Sequence, residues 1–414
     1  MTAPAPVLIA GGGIAGLALA LALARRGIRS TVLERQQAPA AAGAGIQLGP
    51  NGVRALQRLG VADALKTWVS EPEAIEVRAG SSGRRLARLP LGSWIEKRHG
   101  APYWVAHRGD LHAVLAAATA AEPLIERRTG FEVASVAQTA EQVTVADAAG
   151  RSIAGPILAG ADGLWSAVRP ALAPGSGPQP AGATATRTVI PAGQAGALAG
   201  SAVGVWLSRQ AHVVHYPVRR GAEIAVVIIA REAEARPGRG WDADADASRL
   251  PRRLAGFHPS LVQALMPASG RAWTWREWAL HTLPALPAWA QGRVVLLGDA
   301  AHPMLPYLAQ GGALALEDAI MLADCLRQPG PEPGPEPAAA LTRFEALRAA
   351  RARRVQAASL RQGHIYHLAP PLSWARDAVL ALAPAPWLMA GYDWLYAWRP
   401  PTSVDGPMDG RIVA

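Results

Sequence analysis

Cysteine is almost missing from this chain: Cys325 is the only one in 414 residues. No internal disulfide can form, and no cage of thiolates can hold a metal. Lysine is nearly as scarce. Lys66 and Lys97 stand alone, and arginine supplies the rest of a formal charge of +10. That charge would suit a nucleic acid or an anionic surface. No basic run is dense, however, so scattered, solvated arginines and no nucleic-acid partner are expected. The ten histidines form neither an HxH nor an HExxH pattern, so no metal site is expected. A GxSxG elbow and a P-loop lysine are missing as well. Residues 7–24 are apolar but do not read as a membrane span. No positive region precedes them, and Gly11, Gly12, Gly13 and Gly16 interrupt them. The expectation is a cytoplasmic protein without a membrane span.

What is present is a half-apolar sequence, long enough for two joined units. Residues 7–34 read as strand, glycine turn, helix and strand, with Gly27 at the helix C-cap. The turn is a GxGxxG. Gly11 permits the tight turn, Gly13 lets backbone approach a pyrophosphate, and Gly16 lets helix and strand pack closely. The helix start offers free N–H groups to phosphates. Glu34 closes the second strand, where an acid grips ribose hydroxyls. A bound dinucleotide follows, FAD or NAD. Further helices are expected over 51–59, 108–121, 313–326 and 341–361. A strand meander is expected over 203–207, 212–218 and 224–230, a buried strand over 294–297, and a Pro/Gly-rich loop over 328–337.

Two later segments narrow the choice of dinucleotide. Residues 160–169 read Gly-Ala-Asp-Gly-Leu-Trp-Ser-Ala-Val-Arg, and residues 298–303 read Gly-Asp-Ala-Ala-His-Pro. Both resemble downstream signatures of the flavoprotein aromatic hydroxylases. Arg35, His107-Arg108-Gly109-Asp110-Leu111 and the segment 43–51 look like that family too, and the likeness is nearest to the salicylate, 3-hydroxybenzoate and 6-hydroxynicotinate hydroxylases. The resemblance implies an α/β fold: a Rossmann-like FAD-binding domain with an inserted, mostly antiparallel β-sheet substrate domain. Residues 1–72, 103–178 and 272–365 would form the discontinuous FAD-binding domain, and 73–102 with 179–271 the substrate domain. Residues 366–414 would be a helical or irregular tail.

The same resemblance implies site roles. Glu34 and Arg35 would hold the adenosine end of FAD, while Gln47 and Arg108 would lie along the flavin. Asp162 belongs to a segment associated with FAD and the nicotinamide coenzyme, and Asp299 would bind the ribitol or pyrophosphate region. Gly311 and Gly312, after the loop 306–312, would put helix N–H groups near the flavin pyrimidine edge, where an anion is favoured. Each aspartate could instead be a turn residue beside a glycine, and His302 could be a buried stitch. No second GxGxxG follows a strand, so NADH or NADPH would bind only transiently. The implied reaction uses O2 and a flavin C4a-hydroperoxide to hydroxylate a small aromatic substrate.

Strand periodicity over 211–217 puts His212, Val214 and Tyr216 on one face and Val213 and His215 on the other. An imidazole and a phenol on one face can take or relay a phenolic proton; they can equally be ordinary half-buried strand residues. The resemblance selects the first reading and adds Tyr307 as a pocket residue. The chain departs from the family pattern at Thr186, which precedes Arg187 where relatives carry Trp, at Trp165, and at 280–284. A same-fold epoxidase or reductase, or an FAD-binding protein without hydroxylase activity, remains the alternative. The aromatic tail (Trp374, Trp387, Trp394, Tyr396, Trp398) is expected to pack on its own protein, because proline breaks any long amphipathic helix there; a homodimer contact and a membrane foot are the other readings.

Overall fold

The computed structural model describes residues 5–38, 45–232, 243–267, 273–327 and 336–399. Gly43 and Ala44, most of the loop expected at 328–337, and the tail beyond 399 lie outside the described residues.

Residues 7–34 fold as expected: strand Val7–Ala10, helix Ile14–Ala24 and strand Ser30–Glu34. These strands belong to a six-stranded sheet in the order Ala290–Gln291, Val294–Leu296, Leu158–Gly160, Val7–Ala10, Ser30–Glu34, Ile125–Thr129. All its pairs are parallel except the short first one. The helices Ile14–Ala24 and Gly311–Cys325 pack on each other and are buried nearly all round. That is why neither sequence carries a polar stripe.

The second sheet has eight strands, running Ala243–Asp244, Arg276–Thr282, Gln179–Pro191, Glu223–Arg231, Ala211–Val218, Val203–Leu207, Ala74–Ala79, Arg85–Pro90. Only Val203–Leu207 and Ala74–Ala79 pair in parallel. Alternation divides its side chains. Val213, Val226, Ile228 and Trp206 pack with the helix Pro259–Leu265, while Val205, Tyr216 and Ala225 pack with Leu314, Val355 and Tyr396. The sheet is therefore apolar on both faces, covered by its own short helices on one side and by the nucleotide-binding body on the other.

Two expectations shift. The domain bounds implied by the resemblance put Arg276–Thr282 with the nucleotide-binding segments, yet this strand hydrogen-bonds along Gln179–Pro191 in the large sheet; a strand's partner is set by tertiary packing. The arginine-rich helix runs Pro337–Tyr366, longer than 341–361, with Pro337 in its first turn and the Glu336 carboxylate accepting from the Ala339 N–H at 3.3 Å. The tail forms the helices Leu372–Leu382, Ala385–Ala390 and Asp393–Tyr396. Leu395 and Tyr396 are buried, while Trp374 and Trp387 are exposed. The tail therefore covers the core with only part of its aromatic surface. No helix among the described residues is long and apolar enough to cross a membrane.

Candidate active site

Ala10, Gly160 and Leu296 sit side by side in the parallel sheet. The glycine loop at 11–16 and the two glycine-aspartate segments at 160–163 and 298–299 therefore emerge together at the carboxyl edge, where open α/β sheets bind ligands. Gly11 has φ +105°, and a Cβ there would lie 2.5 Å from the Ala161 carbonyl oxygen. At Gly16 a Cβ would overlap the Gly11 carbonyl, whereas Gly13 faces open space. The first and third glycines thus shape the loop, and the second leaves it accessible. The helix start at Gly13 carries no side-chain cap, so its N–H groups are available to an anion.

Glu34 turns back onto this loop. Its carboxylate accepts from the Gly12 N–H at 2.6 Å and from the Gln36 N–H at 2.8 Å. Arg35, expected with Glu34 at the adenosine end, lies on the surface with its guanidinium 3.9 Å from Glu132. Asp162 is a turn former here: it accepts from the Ala167 and Val168 N–H groups at 2.7 and 3.2 Å, and burial raises its pKa. Arg169, only the last residue of a motif in the sequence, proves to be the tie between motifs. It is buried and donates to the carbonyls of Ala300 at 3.0 Å, Gly163 at 3.3 Å and Leu164 at 2.5 Å.

Asp299 is solvent-exposed, yet protein surrounds it closely enough to raise its pKa, with His302 and Arg108 opposing the rise. It lies beside Gly311, at the start of the helix Gly311–Cys325, which also lacks a side-chain cap. A Cβ at Gly312 would press on Ile46. His302 is a stitch: its Nε2 meets Asp318 Oδ2 at 2.5 Å and its ring stacks on Trp289. Asp318 also accepts from the Gly298 N–H and from Arg348.

His212, Val214 and Tyr216 share the face turned toward this body, as expected, but His212 and Tyr216 do not pair with each other. Four residues of extended chain separate them by about 13 Å. The Tyr216 hydroxyl bonds Gln47, whose Oε1 accepts from the Tyr103 hydroxyl at 2.7 Å. Burial raises the pKa of both phenols. Tyr307 joins His212 instead, at 5.5 Å between ring centres. His367 Nε2 lies 2.9 Å from His212 Nδ1, and burial holds both histidines below their usual pKa, His367 at about 4. Neither Tyr103 nor His367 could be found from the sequence, because each is delivered by a distant element. His215, on the other face, receives the Trp206 indole N–H at 3.2 Å. Two departures from the family pattern meet in space: the Trp165 ring packs edge-on against His281 at 5.1 Å.

A glycine cradle, an acid at the second strand and two uncapped helix starts at one sheet edge define a dinucleotide-binding protein. Residues 4–359 match the FAD binding domain family. The chain is 33% identical over 394 residues to the 3-hydroxybenzoate 6-hydroxylase of Klebsiella oxytoca, covering 95% of this chain and 96% of that one. It is 37% identical over 407 residues to the 3-amino-4-hydroxybenzoate 2-monooxygenase of Streptomyces platensis, with the same coverage. The solved structure of Klebsiella pneumoniae HpxO with FAD and uric acid superposes with a TM-score of 0.80 at 26% identity, covering 93% of this chain and 95% of that one. The protein belongs to the FAD-binding-domain family, and within it to the FAD-dependent aromatic hydroxylases.

Proposed function

We propose that the protein hydroxylates a small phenolic acid or hydroxypyridine acid, using O2 and a transiently bound NADH or NADPH. One observation carries this reading: a single buried sheet face presents His212 and the Tyr216 hydroxyl on either side of Val214. A ring laid over Val214 would have a phenol at one edge and an imidazole at the other. Arg187 is buried on the same face, in the row of Val227 and Val214. Its guanidinium over Trp278, 4.6 Å from the ring centre, offers a positive charge for a carboxylate.

The groups that would hold FAD are the Gly11–Gly13–Gly16 loop, Glu34, Arg108, Asp299 and the helix start at Gly311 and Gly312. The collisions a Cβ would cause at Gly11 and Gly16, and the open space at Gly13, fit that role. Gln47 would lie at its inner edge, Asp162 and Arg169 would hold the loops, and Arg35 would reach only the adenosine end. When bound, FAD supplies the activation of O2 that no side chain here can supply. The protein's part is to orient the ring, exclude water and take up the phenolic proton, which leaves the ring electron-rich. Tyr216 and Tyr103, with raised pKa values, stay neutral and donate. A cytoplasmic location, where reduced nicotinamides are available, belongs to this reading. So does a homodimer joined through Leu372, Trp374, Val379 and Trp387, which are exposed.

The test is coenzyme oxidation by FAD-loaded protein against hydroxybenzoates, aminohydroxybenzoates and hydroxypyridine carboxylates, with products weighed. A product heavier by one oxygen, or by oxygen less carbon dioxide, supports the reading. Bound flavin that no ring compound makes turn over refutes it.

A further inference from the structure

His212 is buried, and among the described residues its Nε2 has no hydrogen-bond partner. Leaving such an atom dry and unpaired is costly, so a bound ligand's hydroxyl is the natural occupant. The other ring nitrogen is already committed, since Nδ1 lies 2.9 Å from His367 Nε2. Only one of those two nitrogens can carry the proton between them. The tautomer of His212, and hence whether its free Nε2 is a base or a donor, is thus set by His367.

His367 ends the helix Pro337–Tyr366, one turn after the exposed His364. It keeps 8% exposure, whereas His212 has none. The groups facing the pair are Tyr307 and Tyr366 around His212, and Arg231, Arg376 and His364 around His367. Arg376 is engaged by Asp377 and by the Ile365 and Tyr366 carbonyls. No carboxylate lies in this set, so neither ring is held as a resident cation.

We propose that His367 is the positioning residue for His212, holding its proton on Nδ1 so that Nε2 is a base, and that the pair forms a two-step proton path to the surface. The proposal rests on a phenolic substrate. Its O–H proton passes to His212 Nε2, while the oxygen keeps the electron pair as phenolate. The Nδ1 proton of His212 passes to His367 Nε2, and the Nδ1 proton of His367 leaves to water. Each imidazole gains one proton and gives one up.

Two readouts test this on FAD-loaded protein. Long-range proton–nitrogen NMR of histidine-labelled protein without substrate should show His212 protonated at Nδ1 and bare at Nε2. A proton on Nε2 overturns the proposal whatever the substrate is. His367→Gln, whose amide oxygen can accept the Nδ1 proton's hydrogen bond but not the proton, should keep that tautomer; His367→Phe should lose it. Proton release is then followed with a pH indicator in stopped flow, with 3-hydroxybenzoate as the probe. Both variants should release the proton at least about tenfold more slowly than wild type, with FAD content unchanged. Wild-type release in His367→Gln overturns the path. If neither 3-hydroxybenzoate nor any other phenolic or hydroxypyridine acid of the panel perturbs the flavin spectrum, the substrate reading fails instead, and the NMR result still decides the tautomer.

Discussion

His302 and Asp318 are joined across the core, Nε2 to Oδ2 at 2.5 Å, and the same carboxylate holds the Gly298 N–H. The loop that carries Asp299 is thereby anchored from beneath by a side chain 16 residues on. Asp318 is held at about pKa 2, with His302 and Arg348 outweighing its burial.

Asp318→Asn should destabilise the protein at neutral pH by about 2 kcal/mol or more. The folded pKa lies below the unfolded value of 3.8. The contribution is therefore whole above pH 4 and lost as pH falls toward 2. Denaturant unfolding of wild type and variant across that range should show the gap closing in acid. A gap independent of pH would contradict the assignment.

Gly13→Ala should fold nearly as well as wild type. A Cβ there meets nothing within 4 Å, and the change at a helix N-cap costs about 1 kcal/mol at most. FAD retention should nevertheless fall, by tenfold or more in affinity, because the methyl occupies the space left for phosphate. Gly16→Ala, by contrast, should lose both fold and flavin. Apo-protein melting and flavin absorbance after gel filtration separate the two.

Tyr216→Phe should keep the fold and the flavin while lowering kcat by about tenfold to a hundredfold. Because Tyr216 and Tyr103 meet at Gln47, the double variant Tyr216→Phe, Tyr103→Phe should lose less than the product of the single losses. Since burial raises both phenols, the pH–rate profile near neutrality should not change shape in either. Steady-state kinetics from pH 6 to about 9 would reveal a missing limb if a phenolate were the working form.

Arg169→Met should cost about 3 kcal/mol, because the Ala300, Gly163 and Leu164 carbonyls lose their donor. Its flavin should be released faster than from wild type, since two cofactor loops are no longer tied. Urea unfolding and flavin off-rates measure the two effects.

Much of this was legible in the chain itself because it is local. A GxGxxG between an apolar strand and an apolar helix announces its loop, since only glycine tolerates φ +105° at position 11 or the close approach at position 16. Runs of β-favouring residues over 203–230 show the strands, and the strand period puts His212 and Tyr216 on one face. What tertiary structure alone decided is who meets whom. Glu34 closes on Gly12, Asp162 serves its own turn, and Arg276–Thr282 crosses into the large sheet. His212 finds His367, 155 residues away, rather than Tyr216 on its own strand. Strand and helix periods fix which way a side chain points. Its partner depends on how elements far apart in sequence pack, and no short stretch of chain encodes that.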